Sequence, residues 1–239
     1  MSKQRLGIIQ SRGLGDLVIA LPIAGHYRDQ GWDIYWPILE SFMPSMTQIA
    51  PWVNWIPLPY DAPGAYFYEI PHQRLKNLGV TEHLPLYQHL TGHDFAKEKY
   101  FQYTSFDQYK YIAAGIPFLK KWDLAKYIQR DLAREQALYD QLITNPQYCV
   151  LHLEGSDHRA KFDRSMIPQD WQIIEIKPTT DSIWDWLTII DRSESLVMVD
   201  SVFANITDQL GLGSDRYFIQ RSHIGLTPVQ GHHWEWLDL

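Results

Sequence analysis

The chain has 239 residues, with 21 Lys plus Arg against 28 Asp plus Glu and a formal net charge of −7. Apolar residues make up 45% and charged residues 21%, which excludes a disordered chain and fits one or two soluble domains. The single cysteine, Cys149, excludes an internal disulfide framework or a cysteine-built zinc site and suits a reducing cytoplasm, while the acidic balance argues against nucleic acid as a partner.

Arg5–Gln10 is an apolar run of strand length, and Ser11-Arg12-Gly13-Leu14-Gly15-Asp16 after it is turn chemistry. Leu17, Ala20, Leu21, Ala24 and Tyr27 then recur at helical spacing until Gly31. The N-terminus therefore leads into a strand and not into a signal-peptide core, and no apolar window is long enough for a transmembrane segment. Asp33–Ile38 is a second strand, Ser41–Ile49 a short helix and Val53–Pro57 a third strand. This β-α-β-α-β order requires crossovers between parallel strands.

From Tyr60 to Phe118 the periodicity dissolves into a Pro-punctuated stretch rich in Tyr, His and Gln, for which short helices and a binding surface are expected. Trp122–Ile143 carries one long helical pattern, ended by Asn145-Pro146. That ending places a domain boundary at 145/146, with domains 1–145 and 146–239. The second half repeats the alternation. Strands are expected at Tyr148–Leu153, Gln172–Lys177, Ser195–Val199 and Arg216–Gln220, and helices at Asp181–Ile190 and Phe203–Leu210. The tail holds a His232-His233-Trp234-Glu235-Trp236 cluster that no pattern places.

Gly13-Leu14-Gly15-Asp16 lies between a strand and a helix, the setting of a dinucleotide fingerprint. The third glycine position is Val18, and Asp16 puts a carboxylate where a pyrophosphate would sit. Two close negative charges oppose each other by several kcal/mol, on the order of the Coulomb energy at about 4 Å and a dielectric near 20. A nicotinamide oxidoreductase is thereby disfavoured. Two roles stay open to Asp16: a helix cap, and a general base at the carboxyl edge of a parallel sheet.

Leu6–Pro22, LGIIQSRGLGDLVIALP, resembles the start of heptosyltransferase-like glycosyltransferases, whose first strand runs into a small-residue loop ending in Gly-Asp. Cys149–Ser156, CVLHLEGS, is similar to that family's donor loop, and Asp200-Ser201-Val202-Phe203-Ala204-Asn205 to its D-[ST]-G-x-x-H turn. Thr180–Ile190 is similar to the helix before that turn. Val202 and Asn205 stand where the motif has Gly and His. It implies α/β with two Rossmann-like domains in a compact GT-B arrangement, and an N-terminal acceptor-side and a C-terminal nucleotide-sugar-binding domain. It further implies inverting, metal-independent transfer of a sugar from a nucleotide-sugar donor to a glycan or other hydroxyl acceptor. Asp16 matches the base, and Gly13 and Gly15 its loop. Ser156 and Lys161 match the diphosphate-holding positions, and Asp200, Ser201 and Asn205 the donor turn.

Displacing a nucleoside diphosphate with a hydroxyl needs a base within hydrogen-bond reach and positive charge on the departing phosphate, and no D-x-D spacing offers a metal in that role. No cofactor is expected. Arg159 and Arg164 compete with Lys161 for the phosphate, and a solvated polar loop is the plain alternative for all three. His72, His83, His89 and His93 are open to surface roles or to acceptor hydroxyls. A non-catalytic nucleotide-sugar or glycan-binding relative is the alternative function, motivated by the short chain and the altered donor turn.

Overall fold

The computed structural model describes residues 4–59, 67–87, 104–155, 159–220 and 227–237. Ser156, His89 and His93 lie outside the described residues. The chain divides into two compact units, Met1–Gln129 and Arg130–Leu239.

The first unit runs β1 (Arg5–Ile9), α1 (Leu14–Asp29), β2 (Asp33–Leu39), α2 (Met43–Ile49), β3 (Asn54–Leu58), α3 (Glu69–Asn77), β4 (Glu82–Pro85), α4 (Phe106–Ala113) and a 3₁₀ helix, Phe118–Lys126. Its four strands are parallel in the order β3-β2-β1-β4, with Leu6 opposite Ile34 on one side and Glu82 on the other. β1 is buried on both faces from Leu6 to Ile9, which is why its sequence is a continuous apolar run. Leu17 to Gly25 of α1 are all buried because the helix packs on β2, on α4 and on the 3₁₀ helix. The close approach passes at Gly25, where a Cβ would lie 2.2 Å from the Tyr127 ring.

Two elements depart from the periodicity. β4 carries no apolar run, yet it pairs with β1 as an edge strand, where one neighbour suffices and Pro85 is tolerated at the end. The pattern from Trp122 to Ile143 is two elements. The 3₁₀ helix stops at Lys126, Gln129 N–H donates to Ile49 O, and Asp131 opens a new helix by accepting from Arg134 N–H at 3.1 Å.

The second unit holds α5 (Leu132–Leu142), β5 (Tyr148–His152), β6 (Gln172–Glu175), α6 (Leu187–Asp191), β7 (Ser195–Val199), α7 (Val202–Leu210), β8 (Asp215–Ile219) and β9 (Glu235–Leu237). The sheet is parallel in the order β6-β5-β7-β8-β9. A 3₁₀ turn, Ile183–Trp186, forms the front of the helix expected at Asp181–Ile190. The contact boundary falls at 129/130, ahead of the one expected at 145/146. The cause is α5: Arg134 forks onto buried Asp185 at 2.9 and 2.7 Å, and Glu135 accepts from Arg130 and from Thr188 Oγ1. These bonds fasten α5 to the turn and helix before β7. The His/Trp-rich tail is held by buried Asp208, which accepts from Gly231 and His232 N–H and from Trp234 Nε1, so that β9 can pair with β8.

Candidate active site

In each sheet the strand order reverses direction, at β1/β4 in the first and β5/β7 in the second. Such switch points are where open α/β sheets bind ligands, beyond the carboxyl ends of the strands.

At the first switch point, Gln10–Asp16 turns from β1 into α1. Gly13 is the N-cap with φ 76°, a left-handed conformation that favours glycine. A Cβ there would also stand 2.2 Å from Asp16 Oδ2, so glycine leaves the carboxylate its place. Gly15 lies inside the first turn of α1 without a positive φ, so its backbone demands no glycine. Asp16 lies in the first turn of α1; its Oδ1 pairs with Lys110 Nζ at 2.8 Å, and the side chain keeps 31% exposure.

Lys110 comes from α4 and is buried. Its ammonium also donates to Gln10 Oε1 at 2.7 Å and to Leu86 O at 3.4 Å. The helix that carries it is fixed on both sides, by Tyr111 donating to Ile19 O of α1 and by the fully buried Asp107–Lys121 pair at 2.8 Å. Tyr87, just after β4, accepts from the N–H groups of Ser11 and Arg12, each at 2.9 Å. Burial raises its phenol, against those hydrogen bonds that lower it, so the hydroxyl is neutral at pH 7. Trp36 Nε1 donates to Gln10 O and Leu39 N–H to Ser11 O. The loop is thus clamped from β2, β4 and α4, and one carboxylate edge is left toward water.

Sequence reasoning singles out Asp16 and Gly13 as candidates, but not Lys110, Gln10 or Tyr87, which the structure packs against their loop. A lysine between two tyrosines in an unperiodic stretch gives no local sign of burial; only its partner, 100 positions away in the chain for Gln10, reveals it.

At the second switch point, β7 is followed by Asp200, which is buried and whose N–H donates to Ile219 O. Ser201 is the N-cap of α7, with Oγ 3.4 Å from Ala204 N. Across the gap, His152 at the end of β5 places Nδ1 2.9 Å from Ser201 Oγ and its ring 4.8 Å from that of Phe203. Burial pushes the His152 imidazolium pKa down to about 4, against the opposing charge of Glu175, so the ring is neutral at pH 7. Asn205 Nδ2 donates back to Ser201 O, and its Oδ1 has no partner among the described residues. The structure therefore brings Asp200, Ser201 and Asn205 together, but turns the Asn205 amide nitrogen onto its own helix.

Of the loop cations, Arg159 and Arg164 both pair with Glu175. Burial alone would raise the Glu175 carboxyl, but hydrogen bonds from the two arginines hold it below its ordinary value. Lys161 is exposed and has no ion-pair partner among the described residues. His72 stacks on Tyr68 at 5.0 Å and meets His83 edge-on at 4.8 Å; His83 contacts Val80 O. Among the described residues no cluster of three or more His, Cys, Asp or Glu is arranged to hold a metal. No helix among them is long and apolar enough to cross a membrane.

Among solved structures, a family 9 glycosyl transferase from Veillonella parvula aligns with a TM-score of 0.61 at 12% identity, over 99% of this chain and 87% of that one. The E. coli ADP-heptose LPS heptosyltransferase II aligns with a TM-score of 0.55 at 12% identity, over 99% and 90%. The chain has the fold of these glycosyltransferases. The iron-containing dodecameric glycosyltransferase TibC of enterotoxigenic E. coli shares it at a TM-score of 0.53 and 10% identity, over 92% of this chain and 59% of TibC. No protein-family model matches the sequence, and neither does any curated protein. The glycosyltransferase fold is conveyed by structure at identities too low for sequence matching.

Proposed function

We propose that the chain is a glycosyltransferase that moves a sugar from a nucleotide-sugar donor to a hydroxyl acceptor, with inversion and without a metal. The observation that carries this reading is the Asp16 carboxylate: held by a buried lysine, seated over a positive-φ glycine and partly open to water at the β1/β4 switch point. Asp16 accepts the acceptor's hydroxyl proton while that oxygen forms its bond to the anomeric carbon. The bond to the nucleoside diphosphate breaks, and the diphosphate leaves with the electron pair. Lys161 and Ser156 hold the diphosphate, and Asp200, Ser201 and Asn205 form the donor turn at the head of α7. The first unit serves the acceptor and the second the donor, with the protein working in the cytoplasm.

A TibC structure is a complex with ADP-D-β-D-heptose, and one of E. coli WaaC contains ADP-2-deoxy-2-fluoro heptose. ADP-heptose is therefore the first donor to try, within a panel of nucleotide sugars. Asp16→Asn should keep wild-type donor affinity and lose transfer by about 10²-fold or more, in line with removal of a general base. Transfer at the wild-type rate would remove Asp16 from the mechanism. The second reading, a donor-binding relative without turnover, is favoured by Val202 at the glycine position of the turn. Tight binding of a nucleotide sugar with neither transfer nor hydrolysis would select it.

A further inference from the structure

We propose that His152 is a ligand-contacting residue of the second unit, presenting Nε2–H as a neutral donor to the diphosphate of a nucleoside diphosphate ligand, with Ser201 as the residue that positions it. This assignment rests on the donor-binding role given above to the second sheet.

His152 closes β5 and Ser201 follows β7, so their 2.9 Å contact spans the switch point of this sheet. Ser201 Oγ already accepts from Ala204 N–H as the cap of α7. In this assignment its proton goes to His152 Nδ1, the acceptor 2.9 Å away. A serine that donates to Nδ1 forces the ring proton onto Nε2, because a neutral imidazole carries only one. The low pKa of the ring keeps it neutral through the physiological range, so the tautomer persists.

Nε2–H has no protein partner among the described residues, and His152 is only partly buried. Phe203 packs on the ring and limits its rotation. The outcome is a fixed N–H at the carboxyl edge of the sheet, beside the first turn of α7, whose peptide dipoles favour an anion. The arrangement also reassigns Ser201. Its hydroxyl proton, expected to face the donor, is spent on the histidine, and Nε2–H becomes the donor left for a ligand.

The test uses the intact chain with ADP, UDP, GDP and CDP as probes, titrated by calorimetry against wild type, His152→Ala, His152→Gln and Ser201→Ala. The nucleoside diphosphate that binds wild type best should bind His152→Ala about tenfold more weakly, the loss of one hydrogen bond to a charged oxygen. His152→Gln, which keeps an N–H donor, should recover part of that loss. A packing role alone would not give that rescue, and far-UV circular dichroism checks that each variant is folded. Nitrogen-15 NMR of wild type should show the Nε2–H tautomer, and Ser201→Ala should shift it. Wild-type affinity in His152→Ala, or an Nδ1–H tautomer, would overturn the assignment while leaving donor binding intact. If none of the four probes binds wild type, the donor-binding reading itself falls, and this one with it.

Discussion

Replacing Lys110 by Met, which keeps the length of the side chain and removes its charge, tests the clamp on the candidate base directly. The ammonium has 5% exposure and donates to Asp16, Gln10 and Leu86, so its loss strands acceptors that differ in their access to water. Asp16, 31% exposed, is rehydrated, and its share of the Coulomb energy is largely screened. Gln10 is fully buried, so its carbonyl loses a charged donor with no water to replace it. A hydrogen bond to a charged group contributes about 1.5–3 kcal/mol and a stranded buried acceptor costs about 1–3 kcal/mol. Lys110→Met should therefore destabilise the protein by about 3 kcal/mol, a fall in melting temperature of roughly 6–12 °C for a chain of this size.

The pairwise part is isolated by a double-mutant cycle with Asp16→Asn, read by urea unfolding. In Asp16→Asn the ammonium keeps Gln10 and Leu86 as acceptors, so that variant alone should lose about 1–2 kcal/mol. The two changes together should cost less than their sum, with a coupling of about 1–2 kcal/mol. Additivity within about 0.5 kcal/mol would refute the ion pair as a feature of the folded protein. In transfer assays Lys110→Met should lower kcat while leaving the donor KM unchanged, the split expected of a lysine that holds the proposed base in place.

Two further outcomes follow from the second unit. Its stability should fall as pH drops from about 6.5 toward 4: there the unfolded His152 binds a proton that the folded ring, with its pKa lowered to about 4, refuses. The loss is on the order of 3 kcal/mol, and His152→Gln should flatten that slope in urea melts recorded across this range. Asp208→Ala should cost about 3–5 kcal/mol, because it removes a buried carboxylate and strands the N–H donors of Gly231, His232 and Trp234. Hydrogen exchange should then report early opening of β9, and unchanged protection of Trp236 and Leu237 would show that Asp208 does not hold the tail.

Apolar runs, helical spacing and turn residues are local quantities, and from them the sequence determined the alternation of β1 to β3 and of β5 to β8. The same local information located Gly13 and Asp16, because a glycine at φ 76° and a carboxylate three residues later belong to one turn. Tertiary structure decided what those patterns are blind to. β4 is a strand because β1 offers it an open edge, not because Glu82-His83-Leu84-Pro85 is apolar. The helical pattern from Trp122 onward breaks where Gln129 bonds Ile49 and Asp131 caps a helix that belongs to the second unit. Lys110 and His152 are placed by partners 100 and 49 residues away, Gln10 and Ser201. Hydrogen bonds and ion pairs act over a few ångströms of space, whatever the distance along the chain. Side-chain type and spacing therefore mark where a strand ends and a site can form, and only folding selects which distant lysine or histidine arrives there.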